Sequence, residues 1–323
     1  MKGTIMKKRY TVIAALMAGI MLLSGCGGNN SETTKEETTK APTETVDEAA
    51  DEKDSGVDYK TATAPTKAVI TESKEKGNSG EVKLEEGDLY AVISVKDYGD
   101  ITVKLYPEEA PYAVRNFVEL ANAGTYDGRN FHRVISGFMA QGGSASGDGR
   151  GGASFEGGSF KNEINTSLRH YYGAFCYASA MGDMSDQFYI VNNKESINDD
   201  IAAQYEKYSA DNSFMAEQYE AMRKNYTDDA AALAMIDMYI EFYKNSADGA
   251  AAMANSLTDE VIEKYKNGGV PFLDGGYTVF GQTVEGFDVL DKISSVETVE
   301  GSDGAMSKPK TDIIISSVKI FNA

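Results

Sequence analysis

Cysteine and histidine are scarce in this chain of 323 residues, which contains two of each. Cys26 and Cys176 are too few for a disulfide scaffold or for a zinc site built from thiolates. His132 and His170 are likewise too few for a metal centre with several imidazole ligands. These absences exclude the small disulfide-rich domains and the common structural zinc domains.

Basic residues are also few, with 31 Lys and Arg against 50 Asp and Glu and a formal net charge of −19. The longest basic run is Lys7-Lys8-Arg9. Nucleic acid is therefore not expected as a partner, because phosphate contacts need clustered Lys and Arg. The sequence also lacks a GxxxxGKS/T pattern, a GxGxxG pattern opening a helix, and a Ser-His-Asp or Cys-His signature. Kinase, dehydrogenase and ordinary hydrolase functions are not favoured for that reason.

The N-terminal residues have the pattern of an export signal. Basic side chains precede an almost uncharged apolar run from Tyr10 to Leu23, which is shorter than the roughly 20 residues of a membrane-spanning helix. The run ends in Leu23-Ser24-Gly25-Cys26, which resembles the lipobox of bacterial lipoproteins. We predict a lipoprotein signal peptide over 1–25 and lipidation of Cys26, with an ordinary secretory signal or a short anchor helix as alternatives. The mature chain would be extracytoplasmic and lipid-anchored to the cell membrane, and we expect a Gram-positive cell surface.

The segment that follows is poor in large apolar side chains. It is mostly Thr, Glu, Lys, Asp, Ser, Ala and Gly, so it cannot bury enough surface to offset the entropy lost on ordering. We therefore predict a disordered acidic and Thr-rich tether over 26–86. The large apolar side chains between residues 27 and 80 are Val46, Val57, Tyr59, Val69 and Ile70.

Short strands dominate the pattern from Leu89 onward. Residues 89–95 and 101–105 alternate in apolar character around a turn at 97–100, which predicts a β-hairpin. Pro111 opens a helix that carries an apolar stripe at helical spacing. Further short strands with Gly-rich turns indicate a closed antiparallel barrel or a sandwich. The stripe consists of Val114, Phe117, Val118 and Ala121.

Residues 192–270 differ from the rest, because their Tyr, Met and Ile side chains recur at helical spacing. We predict three or four helices inserted between two strands of the barrel. The apolar side chains of this helical insertion are interpreted as core, with a partner-binding lobe as the alternative.

The most specific stretch is 131–143, which reads Phe-His-Arg-Val-Ile-Ser-Gly-Phe-Met-Ala-Gln-Gly-Gly. It closely resembles the signature of the cyclophilins, which are peptidyl-prolyl cis-trans isomerases. The resemblance covers 89–191 and 271–321, with further matches in the family's order. These are Leu105-Tyr106-Pro107, Asn116-Phe117, 173–180, Gln187-Phe188-Tyr189-Ile190, Phe272-Leu273-Asp274-Gly275 and Tyr277-Thr278-Val279-Phe280-Gly281.

The resemblance implies a mainly β fold, a closed eight-stranded antiparallel cyclophilin-like barrel capped by two helices. The barrel domain would comprise 87–191 and 271–323, and the helical insertion 192–270 would interrupt it. A second capping helix fits Gly286–Ile293.

The resemblance also implies the site residues. Arg133 would donate hydrogen bonds to the twisting amide, Phe138, Met139 and Leu273 would wall an apolar proline socket, and Gln141 would hold the substrate carbonyl and help to orient Arg133. Such a reaction needs no metal and no cofactor. The catalytic set would be Arg133, Phe138 and Gln141, and the substrate-binding set Met139, Ala178, Ser179, Gln187, Tyr189, Phe272, Leu273 and Tyr277.

Three positions depart from the family pattern. Ser179 stands where many members have Asn, Phe272 where the human cytosolic type has Trp, and Tyr277 where that type has His. The exchange at Phe272 predicts weak cyclosporin binding. The contact made by Ser179 runs largely through the main chain, so activity should survive.

The sequence thus predicts a peptidyl-prolyl cis-trans isomerase that assists folding of exported proteins. Its partners would be proline-containing unfolded or exported polypeptides. The lipid on Cys26 would attach it to the membrane, and we expect a monomer. A non-catalytic or weakly catalytic extracytoplasmic chaperone using the same groove is the first alternative. A solute-binding lipoprotein is the second, although the barrel pattern disfavours it.

Overall fold

A computed structural model of the chain describes residues 58–73, 77–226 and 229–323. The predicted signal peptide over 1–25, the predicted lipidation site Cys26 and the predicted tether up to residue 57 lie outside the described residues.

The described residues form a mainly β structure. Its strands are β1 (Val69–Thr71), β2 (Leu89–Val95), β3 (Gly99–Leu105), β4 (Phe131–Ile135), β5 (Met139–Gly142), β6 (Phe160–Lys161), β7 (Glu163–Asn165), β8 (Ala174–Ala180), β9 (Asp183–Val191), β10 (Val279–Glu285), β11 (Thr298–Glu300), β12 (Met306–Pro309) and β13 (Ile315–Asn322). Its α-helices are α1 (Pro111–Asn122), α2 (Ile201–Arg223), α3 (Ala230–Asn255), α4 (Asp259–Tyr265) and α5 (Phe287–Ser294).

Eight strands form one curled antiparallel sheet in the order β13-β2-β3-β10-β8-β9-β5-β4, and β6 pairs with β9 beside this path. This confirms the predicted mainly β, eight-stranded antiparallel architecture. The barrel is not completely closed as predicted, because among the described residues no ladder joins the two end strands, β4 and β13. They are linked by an isolated bridge between Asn130 and Ile314 and by flanking backbone hydrogen bonds, one of them from the Phe131 N–H to the Ile313 carbonyl. Beyond that bridge, β12 of the short β11–β12 hairpin lies beside β4 in place of β13.

The barrel interior is filled by aromatic rings from several strands and from helix α1. Phe117 of α1 lies 5.0 Å from Phe175 and 5.6 Å from Phe280, measured between ring centroids. The predicted apolar stripe of α1 is buried, as expected for a helix that closes the barrel. Helix α5 occupies the position predicted for the second capping helix, and its Leu290 and Ile293 are fully buried.

The helical insertion consists of α2, α3 and α4. Helices α2 and α3 pack antiparallel along their lengths, as shown by a Ser209–Ala247 hydrogen bond near one end and an Arg223–Asp237 ion pair near the other. The carboxylate of Asp200 caps α2, and Thr258 caps α4. Within the described ranges, no helix combines the length and the apolar character that a bilayer crossing requires.

Residues 58–73 and 77–86 correct the predicted extent of the disordered tether. Residues Val69–Thr71 form β1, which pairs in parallel with β7. The fully buried Asn78 donates from Nδ2 to the Arg169 carbonyl at 2.7 Å and accepts from the Arg169 backbone N–H at 2.8 Å. This segment is therefore held by the pairing of β1 with β7 and by the hydrogen bonds of the buried Asn78 side chain. A low content of apolar residues does not reveal such polar contacts.

Candidate active site

Strand alternation gives the curled sheet two buried faces. Along β8, Phe175 and Tyr177 point into the barrel interior, whereas Ala174, Cys176 and Ala178 contribute to a second apolar cluster on the other face. This outer cluster is completed by side chains from β5, β9 and the segment before β10. Its buried members are Tyr106, Met139, Leu168, Ala174, Cys176, Ala178, Tyr189, Val191, Val270, Leu273, Tyr277 and Val279, with Ile135 and Phe138 partly buried at its edge.

Strand register places three of the predicted site residues in one row. Arg133 of β4 is paired with Gln141 of β5, and Gln141 is paired with Tyr189 of β9. Directly paired residues project to the same face of a sheet, so the guanidinium, the amide and the phenol lie side by side next to the outer cluster.

The Arg133 guanidinium is held by its surroundings on two sides. Its Nε donates to Oδ2 of Asp303 at 2.7 Å, and its Nη1 lies 3.5 Å from the Met139 sulfur. The carbon Cζ lies 5.9 Å from the centroid of the Phe138 ring. The remaining nitrogen Nη2 is buried and has no hydrogen-bond partner among the described residues. A buried cation with an unused donor is thus positioned at the edge of an apolar cluster.

Burial lowers the pKa of Arg133, and the hydrogen bond and attraction to Asp303 oppose this effect. An arginine remains charged at any physiological pH. The pKa of Asp303 shows the converse balance, because burial raises it but hydrogen bonds from Arg133 and Ser307 hold it below its usual value.

Asp303 was not found by the sequence analysis. It lies in the loop between β11 and β12 and also accepts hydrogen bonds from the Ser307 hydroxyl at 2.8 Å and the Ala305 backbone at 3.0 Å. It is 170 residues from Arg133 in the sequence, and the Gly-Ser-Asp-Gly turn that contains it signals only a loop. The gap in barrel closure brings this loop beside β4.

The predicted partnership between Gln141 and Arg133 is not a hydrogen bond in the structure. Gln141 donates from Nε2 to Oε1 of Gln187 at 3.2 Å, and Gln187 donates to the Gly149 carbonyl at 3.0 Å. The two amides form a chain along the site, and Oε1 of Gln141 is buried with no hydrogen-bond partner in the part of the chain that the structure describes. Contacts to the guanidinium come from Asp303 and Met139 instead.

Two phenylalanines form the rim of the cluster. Phe138 and Phe272 are stacked with centroids 5.7 Å apart and an interplanar angle of 28°. Phe272 is 51% exposed, whereas Met139 and Leu273 beneath are buried. The backbone N–H of Phe138 donates to Asn192 at 2.8 Å, which fixes the turn between β4 and β5. The buried Met139 and Leu273 therefore form an apolar floor, and the exposed ring of Phe272 borders it on the solvent side.

The other predicted substrate-binding residues line the same region. Ala178 and Ser179 lie where the β8–β9 ladder is interrupted by a bulge. The Ser179 hydroxyl is buried and has no hydrogen-bond partner within residues 58–73, 77–226 and 229–323. Tyr277 is buried, its ring lies 6.4 Å from that of Tyr189, and burial raises its pKa. The structure thus brings together every predicted site residue except Cys26, which lies outside the described residues.

His132, interpreted from the sequence as a hydrogen-bonding structural residue, is buried, but neither ring nitrogen has a hydrogen-bond partner among the described residues. Burial and the neighbouring Arg133 lower its pKa to about 4. Within the described ranges, no three His, Cys, Asp or Glu side chains are grouped to hold a metal ion.

A second histidine connects the site to the interior. The ring of His170 lies with Nε2 3.0 Å from the Tyr189 hydroxyl and Nδ1 2.7 Å from Oδ1 of Asp274. The other oxygen of Asp274 accepts from the hydroxyls of Tyr205 and Tyr265. No sequence signal indicates this network, because its members are far apart in the chain and follow no common motif.

Comparisons with known proteins agree with this geometry. The family described as "Cyclophilin type peptidyl-prolyl cis-trans isomerase/CLD" matches residues 90–210 and 199–320. The "Putative peptidyl-prolyl cis-trans isomerase" of Staphylococcus haemolyticus is 33% identical over 223 residues, covering 69% of this chain and 86% of that protein. The protein of the same name from Staphylococcus aureus strain COL is 30% identical over 239 residues, covering 74% and 94%.

Two further similarities extend the comparison. The "Putative bifunctional phosphatase/peptidyl-prolyl cis-trans isomerase" of Streptococcus pyogenes is 35% identical over 229 residues, and the match spans 70% of this chain but only 37% of that protein. Among solved structures, a cyclophilin type peptidyl-prolyl cis-trans isomerase of Cryptosporidium parvum matches with a TM-score of 0.46 and 22% identity. That match covers 73% of this chain and 99% of the other.

Proposed function

Because this chain belongs to the cyclophilin-type peptidyl-prolyl cis-trans isomerases, we propose that it accelerates rotation about Xaa-Pro bonds with Arg133 as the essential hydrogen-bond donor. The observation that carries the proposal is that Nη2 of Arg133, buried at the edge of an apolar cluster, has no hydrogen-bond partner among the residues that the structure describes.

The chemistry of the reaction defines what the site must supply. Rotation about an Xaa-Pro bond is slow, with a barrier of about 20 kcal/mol, because the nitrogen lone pair is delocalised into the carbonyl. In the transition state this pair is localised on nitrogen, which becomes pyramidal and a better hydrogen-bond acceptor. A donor that binds the twisted amide more strongly than the planar one lowers the barrier, and each 1.36 kcal/mol gives about tenfold in rate.

The side chains near Arg133 provide the other requirements. Met139 and Leu273 offer an apolar floor for a proline ring, and Phe138 offers an aromatic wall beside the guanidinium. Exclusion of water by this surface strengthens the interaction between Nη2 and the amide. Gln141, with its unpartnered Oε1, and Ser179, with its unpartnered hydroxyl, are groups available to the backbone of a bound peptide.

The biological setting that we propose rests on the N-terminal sequence. A signal peptide over 1–25 and a lipid on Cys26 would anchor the enzyme outside the cytoplasm, at a Gram-positive surface. Its substrates would then be exported polypeptides that are not yet folded, in which Xaa-Pro isomerisation is a slow step. The protein would act as a monomer without a cofactor.

A chaperone that binds unfolded chains without much catalysis is the second candidate. It is supported by large apolar side chains that are exposed on the helical insertion, in addition to the exposed Phe272. These side chains are Phe214, Met222, Tyr226, Met235 and Ile262.

One pair of assays separates the two candidates. Isomerisation of a short Xaa-Pro peptide is followed with the purified wild-type chain, with Arg133→Ala and with the control Arg223→Ala. Arg223 is a matched control because its ion pair with Asp237 is exposed on the helical insertion. We expect Arg133→Ala to lose about 100-fold in kcat/KM, as for the loss of one transition-state donor, and Arg223→Ala to keep wild-type activity.

The same preparations are tested for suppression of client aggregation. Suppression by a wild-type protein without isomerase activity would replace the enzyme proposal by the chaperone. An active Arg133→Ala variant would refute the assigned role of Arg133.

A further inference from the structure

The proposed reaction does not use Asp274, a buried carboxylate that makes several hydrogen bonds. The Asp274 side chain has no exposure to solvent. Its oxygens meet the His170 backbone N–H, the His170 ring and the hydroxyls of Tyr205 and Tyr265. Burial would raise the pKa of Asp274, but the hydrogen bond and attraction to His170, together with Arg169 and Tyr205, hold it below its usual value. A charged carboxylate is stable in the interior only when hydrogen bonds and neighbouring positive charge compensate for its loss of water.

Two of these donors belong to the helical insertion. Tyr205 lies in α2 and Tyr265 ends α4, and both are buried. Arg169, which precedes His170, has its Cζ 5.7 Å from the centroid of the Tyr205 ring and donates to the Ser256 hydroxyl at 2.7 Å, just beyond α3. All three inserted helices therefore converge on the part of the barrel that holds Asp274.

The backbone shows the same convergence independently. Gly249 of α3 packs directly against Gly275, the residue after Asp274. A Cβ atom on Gly249 would lie 2.0 Å from the Gly275 carbonyl oxygen, and Gly275 itself has a φ of +78°. Neither residue can be replaced without moving the helix or the loop, so the contact is built on two glycines.

The other side of the Asp274 network reaches the apolar floor. Asp274 directly follows Leu273, and its partner His170 lies 3.0 Å from the hydroxyl of Tyr189. With a proton on Nδ1, the imidazole donates to Asp274 and leaves Nε2 to accept from Tyr189. The rings of His170 and Tyr189 are nearly parallel, with centroids 6.1 Å apart. One carboxylate thus connects the helical insertion with Leu273 and Tyr189, two members of the outer cluster that forms the proposed proline pocket.

We propose that the helical insertion is a structural part of the proline pocket, in which Tyr205 and Tyr265 are positioning residues that fix Leu273 and Tyr189 through Asp274 and His170. The proposal rests on the proposed function in that the pocket binds proline. Loss of the two tyrosine hydroxyls should therefore weaken substrate binding and leave the hydrogen-bond donor Arg133 in place, because Arg133 is fixed by Asp303 on a different loop.

The test uses the full chain with Tyr205→Phe, Tyr265→Phe and the double variant. Tyr243→Phe is the matched control, because Tyr243 is an equally buried tyrosine of the helical insertion whose hydroxyl is not among the groups bonded to Asp274. For each folded variant, kcat and KM are measured on an Xaa-Pro peptide. The methyl resonances of Leu273 are followed by NMR as the same peptide is added.

We expect the double variant to raise KM at least fivefold with kcat within twofold of wild type, and the Leu273 methyl shifts to saturate at correspondingly higher peptide concentration. Tyr243→Phe should match wild type in both measurements. An unchanged KM and unchanged saturation in the folded double variant would overturn the proposal, as would an equal change in Tyr243→Phe.

Failure of the proposed function gives a different result. In that case the wild-type chain shows no isomerase activity, and the Leu273 saturation curve alone decides the role of the two tyrosines. Weaker peptide binding in the double variant would support that role, and unchanged binding would refute it.

Discussion

At the scale of single residues, the orientation of Arg133 depends on an acidic side chain outside every motif. Asp303 accepts from Nε and is itself fixed by Ser307 and Ala305, which leaves the Nη groups facing the site. A bond at Nε restrains the planar guanidinium without occupying its terminal donors. We therefore assign Asp303 the part of a positioning residue.

Removing this hydrogen bond should impair catalysis more than removing the charge. We expect Asp303→Ala to lower kcat/KM about tenfold, because a freely rotating guanidinium loses the alignment that a transition-state donor needs. Asp303→Asn should recover most of that loss, because the amide oxygen still accepts from Nε. Steady-state kinetics on a short Xaa-Pro peptide measure both, with Asp237→Ala as an exposed control. Equal losses in the two Asp303 variants would show that charge, not orientation, is the contribution.

The residues of this site were predictable to different degrees. Arg133, Phe138, Met139 and Gln141 lie within one short stretch, so a local resemblance was enough to name them. Asp303 and His170 depend on contacts between distant segments, and no spacing rule reveals such contacts. The hydrogen bond between Gln141 and Gln187 was not predicted, because such side-chain contacts follow from the packing of Gln187 and Gly149 rather than from sequence.

At the scale of secondary-structure elements, helix α1 is capped by a buried carboxylate from a neighbouring strand. Glu163 of β7 accepts from the backbone N–H groups of Tyr112 at 3.2 Å and Ala113 at 2.7 Å. These bonds satisfy donors that the first turn leaves free. Burial nevertheless raises the pKa of Glu163 to about 7, with the two backbone hydrogen bonds opposing the rise.

This raised pKa makes a prediction for stability against pH. Between about pH 4.5 and 7 the folded chain holds a proton on Glu163 that the unfolded chain has lost, so the free energy of unfolding falls as pH rises. We expect Glu163→Gln to abolish this contribution, which is on the order of 3 kcal/mol. Denaturant unfolding of both proteins at pH 4.5 and pH 7.5 measures it.

The wild-type chain must be compared with Glu163→Gln, because His132 changes the free energy of unfolding with pH in the direction opposite to Glu163. The pKa of His132 is lowered to about 4, so its contribution to stability is lost as pH falls below about 6.5. That effect is common to both proteins and cancels in their difference. A difference in unfolding free energy that stays constant between the two pH values would contradict the assignment to Glu163.

Elements with a strong periodic pattern were predicted well from the sequence. The buried stripe of α1 and the hairpin of β2 and β3 follow from local rules. The strand β1 was missed, because three residues in a polar segment carry no periodicity and are ordered only by pairing with β7.

At the scale of the whole molecule, the helical insertion and the barrel share their packing. The cluster formed by Tyr205, Tyr265 and Met253 of the helical insertion includes Ile164 and Tyr171 of the barrel. The sequence indicated where the helices enter and leave the barrel, close to the site at both ends. It did not indicate their packing, because docking depends on a buried carboxylate and two facing glycines rather than on an apolar stripe.

The proposed catalysis depends on the planar guanidinium of Arg133. The most direct test of this role is the substitution Arg133→Lys. Cis-trans exchange of an Xaa-Pro peptide is measured by NMR with a small amount of the wild-type chain or of the variant, which retains the charge but presents a single ammonium group. We predict that the variant catalyses exchange at less than about one tenth of the wild-type rate at equal peptide concentration. Exchange at the wild-type rate would contradict the claim that Nη2 of Arg133 stabilises the twisted amide.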